Sequence, residues 1–225
     1  MAQVTVNAKA AEIVLFGEIT TETAKEVDAG LKALPSTAAT TIRLNSPGGD
    51  VFAGAAIHSM LSRRSNVTVL VDGLAASAAS FLAMAAARIV MAPAAMLMIH
   101  DPVALSQGGA GQMANMARLL ESVRDQMARA YANRSGQSIE TIIEMMALET
   151  WMTSEEAVNF GFADSVEGKA SIAALKAAAH FNLRRYLHPP ERTIADLAAA
   201  YWGSRGKPAS VPLPEAEAEL SVVIR

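Results

Sequence analysis

At 225 residues, 52% of them hydrophobic, with a formal net charge of −3, the chain is long enough for one substantial α/β domain and carries no global basic field that would suggest nucleic acid. The lack of cysteine removes disulfides, thiolate metal sites and a cysteine nucleophile together. The N-terminus shows no secretory signal, and the longest apolar segment, Leu74 to Ala87, is 14 residues and too short to span a bilayer, so the expectation is a cytoplasmic protein without membrane contact.

The first recognisable strand is Glu12 to Ile19, with a glycine break at Gly17. Thr20 or Thr21 is suited to cap a helix through Thr23, Val27, Gly30, Leu31 and Leu34, which stops at Pro35. Thr40 to Leu44 reads as a second strand and runs straight into Asn45-Ser46-Pro47-Gly48-Gly49-Asp50. Two glycines after a proline make a turn free to adopt positive φ, with amides uncovered by side chains. A helix is predicted from Val51 to about Arg64, then a β-branched strand from Val67 to Val71.

That strand is expected to end in a tight turn at Asp72-Gly73, followed by an apolar helix from Ala75 to about Ala87 with Ser77 in its first turn. Met96 to Ile99 is a further short strand, ending on His100 and stopped by Pro102. Alternation of strands and helices argues for a mainly parallel sheet with functional groups at the carboxyl ends of its strands. Two such ends each deliver one polar residue, a hydroxyl at Ser77 and an imidazole at His100.

Beyond Pro102 the stretch Ser106 to Gly111 is glycine-rich and reads as a mobile loop or exposed strand edge. A long helix follows, from about Gln112 to Arg134. Met113, Met116, Leu120, Val123, Met127 and Ala130 form an apolar stripe on it. Such a stripe more often packs on its own domain than on a partner. Ser138 caps a helix to about Leu148, Glu149 to Met152 is a short connection, and Thr153 caps a helix ending at Gly161.

Near Gly168 the composition changes. The division expected is a domain of residues 1–168 and an extension of residues 169–225. In the extension, helices are predicted near Ser171 to His180 and Thr193 to Trp202, with a flexible tail from Gly203.

A serine hydroxyl becomes a nucleophile when a base takes its proton and an acid holds the base. Ser77 at a helix start has free amides and partial positive charge nearby, the amide of Ala78 is suited to an oxyanion, and Gly48 and Gly49 supply further uncovered amides. His100 is the candidate base. Taken singly these signals are weak: a serine at a helix start is usually a cap, Ser80 is an equally small alternative, and Gly-Gly after Pro is usually a turn. Asp101 adjoins His100, but neighbours on an extended chain point oppositely.

Jointly the pattern is specific. NSPGGDVFAG at Asn45 to Gly54, GLAASAAS at Gly73 to Ser80, MIHDP at Met98 to Pro102 and ETWMTSEEAVNFGFAD at Glu149 to Asp164 resemble the ClpP-like serine peptidases, over about Glu12 to Val166. The phage-type branch, the head maturation proteases, is resembled most. The resemblance implies the α/β ClpP/crotonase-type fold of repeated βαβ-like units with a protruding strand-helix handle. It implies a serine endopeptidase with Ser77 as nucleophile, His100 as base and Glu149 at the position of the acid, an aspartate in housekeeping members. Gly48, Gly49 and Ala78 match the oxyanion-hole region. Gln107, Gly108, Gly109, Ala110 and Gly111 match the edge that pairs with extended peptide substrate, and the long helix after them packs ring against ring.

The implied partners are other copies of the chain in a ring, a heptamer or stacked rings, and a polypeptide substrate such as a phage capsid or scaffold protein; no metal or cofactor is implied. Housekeeping subunits carry an N-terminal segment that docks an ATPase, and charged residues flank their acid where Leu148 and Thr150 stand here. The expectation is therefore an assembly that works without an unfoldase and with altered ring pairing. The rival readings are a signal peptide peptidase A-like enzyme, disfavoured by MIHDP, a housekeeping ClpP-like peptidase, a crotonase-type acyl-CoA enzyme and, last, an inactive ring-forming structural protein.

Overall fold

The computed structural model describes residues 3–168, 178 and 181–189. An eight-stranded sheet carries the fold: β1 (Gln3–Asn7), β2 (Glu12–Phe16), β3 (Thr40–Ser46), β4 (Val67–Ala76), β5 (Arg88–Met91), β6 (Met96–Ile99), β7 (Thr150–Thr153) and β8 (Ser165–Val166). Spatial order is β1-β2-β3-β4-β5-β8, with β6 pairing β4 and β7. Only β1 with β2 and β6 with β7 are antiparallel. The helices are α1 (Thr21–Ala33), α2 (Val51–Ser62), α3 (Ala78–Ala83), α4 (Ala110–Ser135), α5 (Ile139–Ala147) and α6 (Ser154–Asn159).

Local chemistry explains most boundaries. Thr20 caps α1 through its hydroxyl, and Asp50 caps α2 by accepting the Phe52 and Ala53 amides at 2.8 and 3.0 Å. Thr153 and Glu156 form a capping box at α6. Strands β3 and β4 supply fully buried Ile42, Leu44, Val67, Val69 and Val71 to one apolar core with Ile13, Leu15, Ile57, Leu61 and Leu82.

Asp72-Gly73 is not a turn. Strand β4 runs through it, and register is lost between the pairs Leu44–Val71 and Ser46–Ala75. Asp72, Gly73 and Leu74 thus face the single residue Asn45, whose side chain accepts the Leu74 amide at 3.0 Å. Asp72 is buried against Arg43 on β3, with paired contacts of 2.8 and 2.9 Å. The bulge bends the strand. Its first half pairs β5 and its second half pairs β6.

The helix after β4 is correspondingly shorter than expected. Only Ala78–Ala83 is α-helical, and Arg88–Met91 forms a strand within a segment whose alanine content favours helix. Parallel pairing on both sides, with β4 and β8, overrides that local preference. Strand β1 at the edge and β7 in the predicted connection were likewise not evident from the pattern. Ala110 and Gly111 belong to the first turn of α4, and residues 107–109 form no strand. An exposed glycine-rich segment within one chain has no neighbouring strand to complete its ladder.

Helix α4 contains 26 residues, about 39 Å at 1.5 Å per residue. Its stripe divides in two: Val123 and Met127 are buried in the core, whereas Met113, Met116 and Leu120 are only half-buried. The helix therefore packs by its second half and projects by its first. Among the described residues no helix is long and apolar enough to cross a membrane. The expected helices at Ser171 to His180 and Thr193 to Trp202 and the tail from Gly203 lie outside the described residues, save Ala178, which is helical and buried.

Candidate active site

Strands β4 and β6 run parallel with Ala76 opposite Met98, so their carboxyl ends lie side by side. Ser77 follows the first and His100 the second. The Ser77 amide donates to the Met98 carbonyl at 3.0 Å, and the Ser77 carbonyl accepts the Phe81 amide at 3.0 Å, tying the residue to β6 and α3. Between these ties Ser77 has φ +56° and ψ −124°, a conformation costly for a side-chain-bearing residue and characteristic of functional sites. This sharp strand-to-helix corner leaves the hydroxyl half-exposed, and its Oγ is 2.8 Å from His100 Nε2.

Burial holds the His100 imidazole below its ordinary value of 6.5, opposed by the negative charges of Glu149 and Asp101 and reinforced by Arg185. The ring is thus neutral at pH 7, the form that accepts a proton. Ser80, the alternative serine, is occupied. Fully buried, its hydroxyl bonds the Ser77 and Met98 carbonyls at 2.8 and 2.7 Å and the Tyr131 hydroxyl at 2.8 Å. Ser80 is a strut beneath the corner.

The two glycines divide. A side chain on Gly48, at φ +85°, would lie 2.7 Å from Ser77 Cβ and 3.2 Å from the Ala78 nitrogen, so only glycine lets this backbone approach the serine. Its N–H is taken by Ser46 Oγ at 3.1 Å. Gly49 instead faces Ile19, where an added Cβ would come within 2.2 Å of the carbonyl. Ala78 opens α3, and its N–H has no acceptor within that helix. Geometry brings Gly48 and Ala78 to Ser77 and leaves Gly49 a supporting role. Residues 107–109 are exposed on the approach to α4, and Ala110 and Gly111 are exposed in its first turn.

Glu149 is only 5% exposed and has φ +50°. It follows α5 and precedes β7, whose antiparallel pairing with β6 places Thr150 opposite Ile99, next to His100. Its carboxylate does not hydrogen-bond to His100 among the described residues. It accepts the indole N–H of Trp151 at 3.2 Å and the amides of Leu187 and His188 at 2.7 Å each. Three donors satisfy the buried charge, and two come from far along the chain.

That distant segment is the functional neighbourhood that sequence reasoning missed. A 3₁₀ turn at Leu183–Arg185 leads into Tyr186, which is 7% exposed. Its ring meets His100 edge-on at 5.3 Å and Trp151 at 5.6 Å, and its hydroxyl donates to the Pro47 carbonyl. Burial pushes the phenol up to about 12, partly countered by the positive charge of Arg185. A lone tyrosine before Pro189-Pro190 carries no motif.

A family model described as Clp protease matches residues 2–170. Curated relatives share 34% identity. The ATP-dependent Clp protease proteolytic subunit of Streptococcus agalactiae serotype V aligns over 162 residues, 68% of this chain and 83% of that protein. The protein of the same name from Pleurastrum terricola aligns over 128 residues, 56% of this chain and 65% of that protein.

Proposed function

The chain belongs to the Clp protease family, and we propose that it is a serine endopeptidase working through an acyl-enzyme on Ser77. The observation that carries this reading is the 2.8 Å contact between Ser77 Oγ and His100 Nε2 at adjacent strand ends. In the reaction His100 Nε2 takes the hydroxyl proton as Oγ attacks the scissile carbonyl. The oxygen anion is met by the Ala78 amide, with the Gly48 amide turned from Ser46 to join it. His100 then returns the proton to the leaving amine, and water, activated by the same ring, hydrolyses the ester. Glu149 is the carboxylate assigned to orient and stabilise the imidazolium.

A crotonase-type acyl-CoA reaction would need the amides but not an activated serine, so a covalent serine adduct separates the two. Assembly into a ring is supported by the projecting half of α4 and by exposed Val103, Leu105, Leu119 and Leu148; native mass spectrometry counts the subunits. Processing of phage capsid or scaffold proteins is the substrate assignment favoured by SPGGDVFAG and GLAASAAS. Cleavage of a co-expressed capsid or scaffold protein, lost in Ser77→Ala, tests it. The expectation of no ATPase partner gains no support from relatives whose names describe an ATP-dependent protease. Peptide hydrolysis measured with and without a hexameric unfoldase decides that point.

A further inference from the structure

We propose that the segment Phe181 to His188 is an intramolecular inhibitor of the peptidase, a strap that covers Ser77 and withholds Glu149 from His100. The inference rests on the serine-peptidase reading. Three independent sets of contacts carry it.

The first is occlusion. Tyr186 lies against the His100 ring at 5.3 Å, and its hydroxyl donates to the carbonyl of Pro47, next to Gly48. An acyl group on Ser77 must have its carbonyl oxygen between the Gly48 and Ala78 amides and its leaving amine beside His100. The tyrosine stands in that volume, so a peptide cannot enter while it stays. The second is disengagement of the acid. The Leu187 and His188 amides bind the two oxygens of Glu149, at 2.7 Å each. Short bonds to both oxygens direct the carboxylate to the strap, and no hydrogen bond links it to His100 among the described residues. Catalysis needs that carboxylate on the ring.

The third is anchorage that is firm yet reversible. Arg185 pairs with Glu18 at 2.9 Å across an exposed surface. Phe181, Leu183, Ala178 and Tyr186 pack with Leu74, Met96, Met98 and Trp151 in a small apolar cluster separate from the main core. Losing that cluster would leave the central sheet intact. The strap is therefore poised between a closed state, seen here, and an open state in which Glu149 turns to His100. A closed form that outweighs the open one by tenfold or more slows every reaction at Ser77 by the same factor.

The test compares the full chain with full-length Tyr186→Ala and Arg185→Glu, following fluorophosphonate adduct formation by intact mass alongside hydrolysis of a short fluorogenic peptide. Tyr186→Ala is expected to react at least about tenfold faster. Arg185→Glu, at an exposed position with little risk to folding, should react a few-fold faster, and Glu18→Arg in the same chain should restore the slow rate. A synthetic peptide of residues 181–189 should inhibit Tyr186→Ala, and the same peptide with alanine for tyrosine should not. Equal rates in wild type and both variants, or slower reaction in the variants, would overturn the strap, the slower case making the segment a support for Glu149. Absence of adduct in all forms would instead sink the activated serine, and the strap with it.

Discussion

The two halves of the candidate site are built differently. Ser77 and His100 end parallel neighbours in the central sheet, and a ladder with Ala76 opposite Met98 sets their separation. Glu149 stands on a loop between a helix and an edge strand, and its hydrogen bonds run to the distant residues 187 and 188. The first half is fixed by the fold, whereas the second depends on what occupies it. On the proposed reading, nucleophile and base are thus preorganised, and the carboxylate assigned as orienting acid is the element left free for control.

The sharpest way to break this contrast is to remove the fixed half. Ser77→Ala should cost on the order of 10⁴-fold or more in peptide hydrolysis with the assembly unchanged by native mass; retained activity would end the assignment. Next in size is Glu149→Gln. Because the carboxylate is tied to the strap, the substitution should cost about 10²- to 10⁴-fold in a Tyr186→Ala background and less in the wild-type chain. Equal effects in both backgrounds, measured as kcat/KM, would show that Glu149 already serves His100 in the closed form.

The pH profile sharpens the same comparison. His100 must be neutral to accept the Ser77 proton, and burial lowers its pKa. The acid limb of kcat/KM should therefore have its midpoint below 6.5. The Glu149 charge raises that pKa, so Glu149→Gln should move the limb to still lower pH. A midpoint above 6.5 in the wild-type chain would contradict the account.

The smallest effect is structural. Ser80→Ala removes one of two partners from the Met98 carbonyl and from the Tyr131 hydroxyl, which keep the Ser77 amide and carbonyl, and should cost about 1 kcal/mol by urea unfolding. Labelling of Ser77 should survive it.

Legibility from sequence follows the same division. Ser77, His100 and the Gly48 turn were readable because parallel strands deliver residues at their carboxyl ends and short motifs mark those ends. Capped helices such as α1 and α6 were readable from Thr20 and Thr153. Strands β5 and β7 were not, since RIVM and TWMT acquire their character from neighbours distant in sequence. The passage of β4 through Asp72-Gly73 depends on Arg43 and Asn45, two side chains that local turn chemistry does not include. Tyr186 was invisible for the same reason, because its role lies wholly in long-range contacts. The stripe on α4 was legible as a stripe, but its division into a packed and a projecting half belongs to the tertiary structure.

The most direct test of the central claim is intact-mass analysis after prolonged incubation with a fluorophosphonate, on the wild-type chain and on Ser77→Ala. One adduct per chain, lost in the variant, is the result predicted for a serine activated by His100. An adduct that persists in Ser77→Ala, or none in wild type and in Tyr186→Ala alike, would contradict it.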